Sequence, residues 1–437
     1  SVSIDSREVS EGTLFVPLPG ERTDGHRFIP DALRAGAAAT CVSSTYFSRH
    51  KDEILAAAQE RDAAVCVVQS PLETLQKLAA KHVRTHGRAQ RIGVTGSNGK
   101  TTTKELIAHI LSGKGNTFYT RGNFNSEIGV PLSVFDLTEQ HQYAVFEMGM
   151  NHPGEMAILA DIVRPDLAVI TNIGTAHVGL IGSREAIARE KKEIFSRFSG
   201  REIAFIPLQD PYVDLLKEDV DGKVVLYDAE HTEGWGGYED LGLHGSVLLL
   251  GNLRVTLALP GQHNVKNAVA AIAVARALGA TDAELKAGIE QTKAVFGRSE
   301  ILEGPVTVIQ DCYNANEEST VGAIDFAMRA QWAGRRIMVL GAMKELGSVS
   351  SEAHMRVAEA ALRVGPDALF LVGEEFRAAY EKWHLTEIGP TLLFALDSEE
   401  LTDKLSQFVR PGDLVLLKGS RSVGLERTVP ALQRIGA

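Results

Sequence analysis

The run Thr95-Gly96-Ser97-Asn98-Gly99-Lys100-Thr101-Thr102-Thr103 gathers the groups that hold a polyphosphate, between an apolar strand predicted at 91–95 and a helix predicted at 104–111. Glycines let backbone N–H groups converge on phosphate oxygens, and the start of a helix adds partial positive charge. Lys100 would neutralise the β- and γ-phosphates, and the Thr101 hydroxyl would ligate Mg2+. Gly96, Ser97, Asn98, Gly99, Lys100, Thr101 and Thr102 are therefore the expected contacts of a nucleotide, ATP. The structural alternative is a glycine turn capped by threonines, disfavoured because strand, glycines, Lys-Thr and helix coincide. Such loops usually have a glycine where Val94 stands, so this one is a variant.

Other residues could share that chemistry. Glu147 ends a strand predicted at 143–148, and His177 lies just past one predicted at 167–173, where open parallel sheets place their ligands. Alone, each reads as a strand-end acid and a loop histidine; their common position favours a site. Lys191, within Ile187-Ala188-Arg189-Glu190-Lys191-Lys192-Glu193-Ile194, reads from charge pattern as part of a solvated helix face. Asn264 and Asn267 open an alanine-rich helix, where an asparagine can serve simply as a cap. Arg298 follows Gly297 at a domain junction. It is either a linker arginine or a guanidinium that reaches the γ-phosphate and couples closure to catalysis. Asp311, ending the strand predicted at 306–311, could accept hydrogen bonds from a ribose or form a turn.

The elements that must position these residues fall into three predicted α/β domains. In the first, 1–88, apolar runs at 13–16, 38–42 and 63–68 alternate with helical patterns at 29–35 and 72–82, and 84–90 reads as a linker. The second, 89–296, has the rhythm of a mainly parallel P-loop sheet, followed by strands at 224–227, 246–250 and 253–259 and a helix at 264–278. Its Gly-Trp-Gly-Gly cluster, 234–237, reads as a turn. The third, 297–437, alternates strands at 306–311, 336–340, 368–372, 392–396 and 414–418 with helices such as 351–364, a Rossmann-like pattern.

Composition sets limits on function. Of 437 residues, 44% are hydrophobic and 23% charged, the balance of a water-soluble globular protein rather than a disordered or fibrous one. Acidic residues outnumber basic ones by 56 to 45, which argues against general binding to nucleic acid or an anionic membrane, so any phosphate must be held locally. Cys41, Cys66 and Cys312 are scattered and lack metal-ligand spacing, which fits a reducing cytoplasm. No apolar run has spanning length and no signal-peptide core is evident, so membrane insertion is not expected. The chain opens on Ser1 directly into strand-like sequence, and an incomplete first domain is one expectation.

Thr-Gly-Ser-Asn-Gly-Lys-Thr-Thr resembles the loop of the Mur ligases and their folylpolyglutamate synthase relatives, which join an amino group to a carboxylate at the expense of ATP. Further segments support the likeness: Asp5-Ser6-Arg7, Gly122-Asn123-Phe124-Asn125-Ser126-Glu127-Ile128-Gly129-Val130-Pro131-Leu132, Phe146-Glu147-Met148-Gly149-Met150, Asp311-Cys312-Tyr313-Asn314-Ala315-Asn316 and Leu340-Gly341-Ala342-Met343-Lys344-Glu345-Leu346-Gly347. Asp-x-Tyr-Asn-Ala-Asn is similar to the branch that adds a dipeptide. The Asp-Asn-Pro-Arg segment usual in the branch that adds the third residue is absent, as is the Asn-Lys-x-Asp of guanine-reading switches.

The resemblance implies three domains, ATP and Mg2+. It implies UDP-N-acetylmuramoyl-tripeptide and D-alanyl-D-alanine as substrates, an acyl-phosphate intermediate, and a monomer. It places Thr101, Glu147, His177 and Lys191 at the metal, with Lys191 open to carbamylation, although Glu190 stands where a small residue is usual and Lys192 offers a competing register. It puts Asn264 and Asn267 near the purine. Lys100, Glu147, His177, Lys191 and Arg298 would be the catalytic set. Ser6, Arg7 and the Asp24-Gly25-His26 turn would face the uridine diphosphate, Asn125 and Ser126 the tripeptide, and Lys344 the dipeptide. Glu317 stands where the family usually has proline.

Overall fold

A computed structural model of the chain describes residues 1–20, 23–86, 88–384 and 389–436. Four strands, β1 (Val2–Ser3), β2 (Thr13–Phe15), β3 (Ala37–Ser43) and β4 (Ala64–Val68), pair in parallel in that spatial order. Phe15, Ile29, Leu33, Val42 and Ile54 close a small core against helices Ile29–Arg34 and Ser44–Gln59. The second of these helices was not expected from its mixed sequence, and it starts where the Ser43 hydroxyl caps Tyr46 N–H.

The central sheet comprises β5 (Gln90–Thr95), β6 (Thr117–Tyr119), β7 (Tyr143–Glu147), β8 (Leu167–Ile170), β9 (Ile203–Pro207) and β10 (Lys223–Tyr227), all parallel, in the order β10-β9-β8-β5-β7-β6. Ala144, Val145, Phe146, Ala168, Val169 and Ile170 are fully buried, as unbroken apolar strands must be when both faces are covered. Phe146, Met148, Leu159 and Ile170 face one core. Ile92, Val94, Leu106, Val145 and Val169 face the other, under helices Lys100–Ser112, Gln262–Ala277 and Asp282–Gln291. The chain leaves β5 with β8 on one side and β7 on the other, so the loops after these three strands converge at a switch point.

A separate antiparallel sheet of β11 (Trp235–Asp240), β12 (Ser246–Leu250) and β13 (Leu253–Leu257) follows. This corrects the reading of 234–237 as a turn: Trp235, Gly236 and Gly237 belong to β11. The glycines accommodate an irregularity in register between Trp235 and Gly237, with Gly237 at φ +103°. The last sheet runs β14 (Glu300–Leu302), β15 (Thr307–Asp311), β19 (Leu414–Lys418), β16 (Arg336–Gly341), β17 (Ala368–Val372), β18 (Thr391–Ala395), parallel except for the β14–β15 pair.

Other boundaries move for identifiable reasons. The phosphate-loop helix begins at Lys100 rather than 104, because Gly99 takes the left-handed conformation, φ +80°, and turns the chain directly into the helix. Helix Pro71–His86 runs into the expected 84–90 linker, whose Gly87 lies outside the described residues, and Gln90 already pairs in β5. The strand expected at 167–173 ends at Ile170, which frees 171–177 to form a loop. Among the described residues no helix is long and apolar enough to cross a membrane, and Cys41, Cys66 and Cys312 are free thiols.

The phosphate-loop helix is set by close backbone packing. A Cβ on Gly288 would lie 2.3 Å from Cα and 2.4 Å from N of Ile110, atoms that cannot rotate aside. Gly288→Ala is therefore expected to destabilise the central sheet by about 2–3 kcal/mol in urea unfolding. Gly322→Ala, mid-helix with nothing within 4 Å, should leave unfolding unchanged or slightly delayed. Equal midpoints for the two variants would show that this contact does not seat the helix.

Candidate active site

The loop after β5 can exist only with two side chains missing. Gly96 sits at φ +150° with Thr171 Oγ1 1.8 Å from where its Cβ would be, and Asn267 Oδ1 lies 2.2 Å from that of Gly99. The segment after β8 backs the loop. Ser97 N–H donates to Asn172 O (2.9 Å), Asn98 N–H to Asn172 Oδ1 (3.0 Å), Thr171 Oγ1 to Asn98 O (2.5 Å) and Gly174 N–H to Ser97 Oγ (2.8 Å). The amides of Lys100, Thr101 and Thr102 begin the helix with no earlier turn to bond, as anion binding requires. Lys100 Nζ donates across its own loop to Gly96 O at 2.9 Å. Burial pushes its pKa below the ordinary lysine value, Glu147 opposes that shift, and Arg298 adds to it.

Glu147 ends β7 at 1% exposure, and both its oxygens are held. Oε2 accepts from Thr101 Oγ1 at 2.7 Å and Oε1 from Asn125 Nδ2 at 2.6 Å, while its own N–H donates to Thr120 Oγ1 at 2.9 Å. A buried carboxylate bonded to a hydroxyl and an amide, with no direct cation, lacks the positive partner such groups normally need. The Thr101–Glu147 pair therefore fits Mg2+. His177, at φ +64°, instead places Nδ1 2.6 Å from Glu345 Oε2, and that contact holds the Glu345 carboxyl below its usual range against the effect of burial. Among the described residues no group of three or more His, Cys, Asp or Glu is arranged to hold a metal.

Lys191 is not on a solvated face. It is 1% exposed within helix Arg184–Lys192, and its pKa is lowered well below 10.5, by burial first and then by Lys100, with Glu190 opposing. Glu190 is occupied elsewhere, accepting from Gly154 N–H (2.9 Å) and Met156 N–H (3.0 Å), while Lys192 is only half-buried. Of the two lysines, Lys191 is the buried one.

From the last sheet, Arg298 stacks 4.3 Å from the Tyr313 ring centroid, and its buried Nε has no hydrogen-bond partner. Asp311 accepts from Ser299 N–H (3.3 Å) and pairs with Lys418 Nζ (3.1 Å). Asn98, Lys100, Glu147, His177, Arg298 and Asp311 all line one cavity of about 1030 Å3. Asn264 and Asn267 line it too, but their amides are engaged: Asn264 Nδ2 donates to Pro260 O (2.8 Å) and Asn267 Nδ2 to Asn264 Oδ1 (3.2 Å). The helix N-cap is Gly261 rather than either asparagine, and Asn267 alone of the two abuts the phosphate loop, at Gly99.

The substrate candidates divide. Asn125 and Ser126 line the cavity, with Asn125 bound to Glu147 and Ser126 Oγ accepting from Gly129 N–H at 3.2 Å. Ser6 and Arg7 lie in a helical turn, Ser6–Glu8, between β1 and β2, and are not in the lining of this cavity. Arg7 forks onto Asp5 and holds its carboxyl down at about 2. In the neighbouring turn, His26 is tied to Asp24 (2.6 Å) and to Ser43 N–H (3.1 Å). Lys344 pairs with Glu375 and donates its N–H to Ser420 Oγ (2.9 Å), outside the cavity lining.

Sequence spacing did not identify the contacts that join the central and last sheets. Asn98 and Asn316 exchange amide bonds at 2.9 and 3.5 Å, and Glu318 accepts from Thr175 N–H (3.2 Å) and Oγ1 (2.6 Å). Gly179 N–H donates to Glu345 O at 3.0 Å, and a Cβ on Gly179 would fall 2.3 Å from Gly347 N. Lys418, also missed, has no motif of its own; its only signal was its position ending an apolar strand.

Three family descriptions match the chain: "Mur ligase family, catalytic domain" over 1–83, "Mur ligase middle domain" over 94–275 and "Mur ligase, glutamate ligase domain" over 297–421. The chain is similar to the UDP-N-acetylmuramoyl-tripeptide–D-alanyl-D-alanine ligase of Treponema pallidum, 41% identical over 99% of this chain and 94% of that protein. The Escherichia coli protein of the same name is 35% identical over 100% and 94%. Among solved structures, MurF from Acinetobacter baumannii superposes with a TM-score of 0.87 at 31% identity, covering 99% and 93%. The MurF ligase from Thermotoga maritima in complex with ADP gives 0.81 at 31% identity, covering 99% and 97%.

Gly99→Ala combines a left-handed backbone with a collision at Asn267, so it should weaken ADP binding roughly tenfold to a hundredfold. Isothermal calorimetry reads this directly. Unchanged affinity would mean that packing against Asn267 does not shape the phosphate site.

Proposed function

The chain belongs to the Mur ligase family, and from the site it carries we propose that it joins D-alanyl-D-alanine to UDP-N-acetylmuramoyl-tripeptide, converting ATP to ADP and phosphate. The carrying observation is the clamp on Glu147 by Thr101 and Asn125, set beside the phosphate loop where β5, β7 and β8 end. In this reading residues 1–88 hold the uridine-diphosphate end, 89–296 the ATP and 297–437 the incoming dipeptide. The enzyme works as a cytoplasmic monomer in the last soluble step of cell-wall precursor synthesis.

Two anions must meet, so the protein's main contribution is fixed positive charge and positioning. A tripeptide carboxylate oxygen attacks the γ-phosphorus, and the bond to the β-bridging oxygen breaks with ADP leaving. The neutral dipeptide amine then attacks the acyl carbon, the bond to phosphate breaks, and the amine proton passes to solvent. Thr101 and Glu147 would hold Mg2+, which would supply positive charge at the phosphates. Lys100 binds the phosphate chain, and Arg298 approaches from the last sheet with an Nε free to donate. His177, paired with Glu345, lies where the two halves of the cleft meet and serves the site from there. Asp311 orients the ribose.

ADP and phosphate should appear only when UDP-N-acetylmuramoyl-tripeptide and D-alanyl-D-alanine are both present. AMP release, or turnover indifferent to the dipeptide, overturns the assignment. Lys100→Ala should lower kcat/KM on the order of 10^2–10^3-fold.

The family resemblance gives Lys191 a carbamate, formed when its neutral amine bonds to the carbon of CO2 and loses a proton. Because its pKa is depressed from 10.5, the neutral amine is available at lower pH than for an exposed lysine. Enzyme incubated with 13C-bicarbonate near neutral pH is expected to show a carbamate 13C signal that Lys191→Met lacks. An identical spectrum from the variant removes Lys191 from this role.

A further inference from the structure

Lys104 lies one helical turn beyond Lys100 and Thr101, on the same side of the phosphate-loop helix. It is completely buried and absent from the cavity lining, so it touches neither nucleotide nor substrate. Its ammonium donates to Thr120 O at 2.7 Å, pairs with Glu105 at 2.7 Å and lies 5.6 Å from the Tyr119 ring centroid. Burying an ammonium is unfavourable until its partners repay the lost hydration, and an apolar side chain would fill the position without that penalty. What an apolar side chain cannot do is fix a main-chain carbonyl at the end of β6.

Thr120, also fully buried, is the link to the site. Its N–H donates to Val145 O at 3.0 Å, and its hydroxyl accepts the N–H of Glu147 at 2.9 Å. The same segment then runs to Asn125, which holds Glu147 Oε1 through its side chain and accepts from Gly149 N–H through its carbonyl at 2.8 Å. We propose that Lys104 is a positioning residue for the metal-nucleotide end of the site: it anchors Thr120, and through the Thr120 hydroxyl it sets the strand end that presents Glu147 to Thr101 and Asn125. This rests on the reading of Thr101 and Glu147 as the metal-holding pair.

The test measures Mn2+ binding by electron paramagnetic resonance in the presence of ADP, with Glu147→Gln as control. Wild type should bind Mn2+ with ADP, and Glu147→Gln should not. Lys104→Met and Thr120→Val should each weaken Mn2+ about tenfold, the effect typical of groups that orient a metal ligand. ADP affinity without metal should be unchanged, and kcat should recover as Mg2+ is raised. Lys104→Arg should restore part of the loss. If wild type binds no Mn2+ with ADP, or Glu147→Gln binds it equally, the underlying metal reading fails. If both controls behave but Lys104→Met and Thr120→Val bind Mn2+ like wild type, or lose metal-free ADP to the same extent, the positioning role is overturned. Should Lys104→Met not fold, Thr120→Val decides, since it keeps shape and removes only the hydroxyl.

Discussion

A carboxylate and a polyphosphate repel each other, and a protein that makes them react must hold positive charge where water cannot dilute it. This chain carries a net charge of −11, yet Lys100, Arg298 and Lys418 face one cavity and Lys191 lies buried close enough to Lys100 to feel its charge. They come from different elements: Lys100 opens the helix after β5, Lys191 lies in helix Arg184–Lys192, Arg298 just precedes β14 and Lys418 ends β19. Among the acids that line the same cavity, Glu147 has two neutral hydrogen-bond partners, Thr101 and Asn125, which leaves it suited to a metal ion rather than to a salt bridge.

The geometry of that charge depends on main-chain atoms packed closer than most residues allow. Gly96 against Thr171, Gly99 against Asn267 and Gly288 against Ile110 form a series from the phosphate loop to the back of its helix. Each contact removes a degree of freedom from the loop, so the amides that meet phosphate are arranged before any ligand arrives. Such preorganisation is what makes hydrogen bonds effective in stabilising developing charge.

Much of this could be read from the chain. Unbroken apolar strands, glycines at the loop and the positions of Glu147 and His177 beyond strand ends follow from local patterns with physical causes. Partners distant in sequence could not be read. Glu345 reaches His177 and Asn316 reaches Asn98 only because two sheets meet, and no local spacing encodes that. Lys191 and Lys104 look like solvated helix lysines in sequence, because burial is a property of what packs over a residue. Asn264 and Asn267 line the cavity, but the bonds of their side-chain amides to Pro260 and to each other could not be read from spacing. Gly234 to Gly237 carried a turn-like composition, and tertiary pairing drew three of those residues into a strand.

The touch between Gly179 and Gly347 limits what either position can carry. Helix Val178–Ile181 and the short helical turn Gly347–Val349 meet there main chain to main chain at the protein surface, beside the exposed side chains of Leu180 and Val349. The separation is too small to admit even one methyl group. A side chain at either glycine would wedge the two backbones apart, and with them the His177–Glu345 contact that lies two residues away on each side.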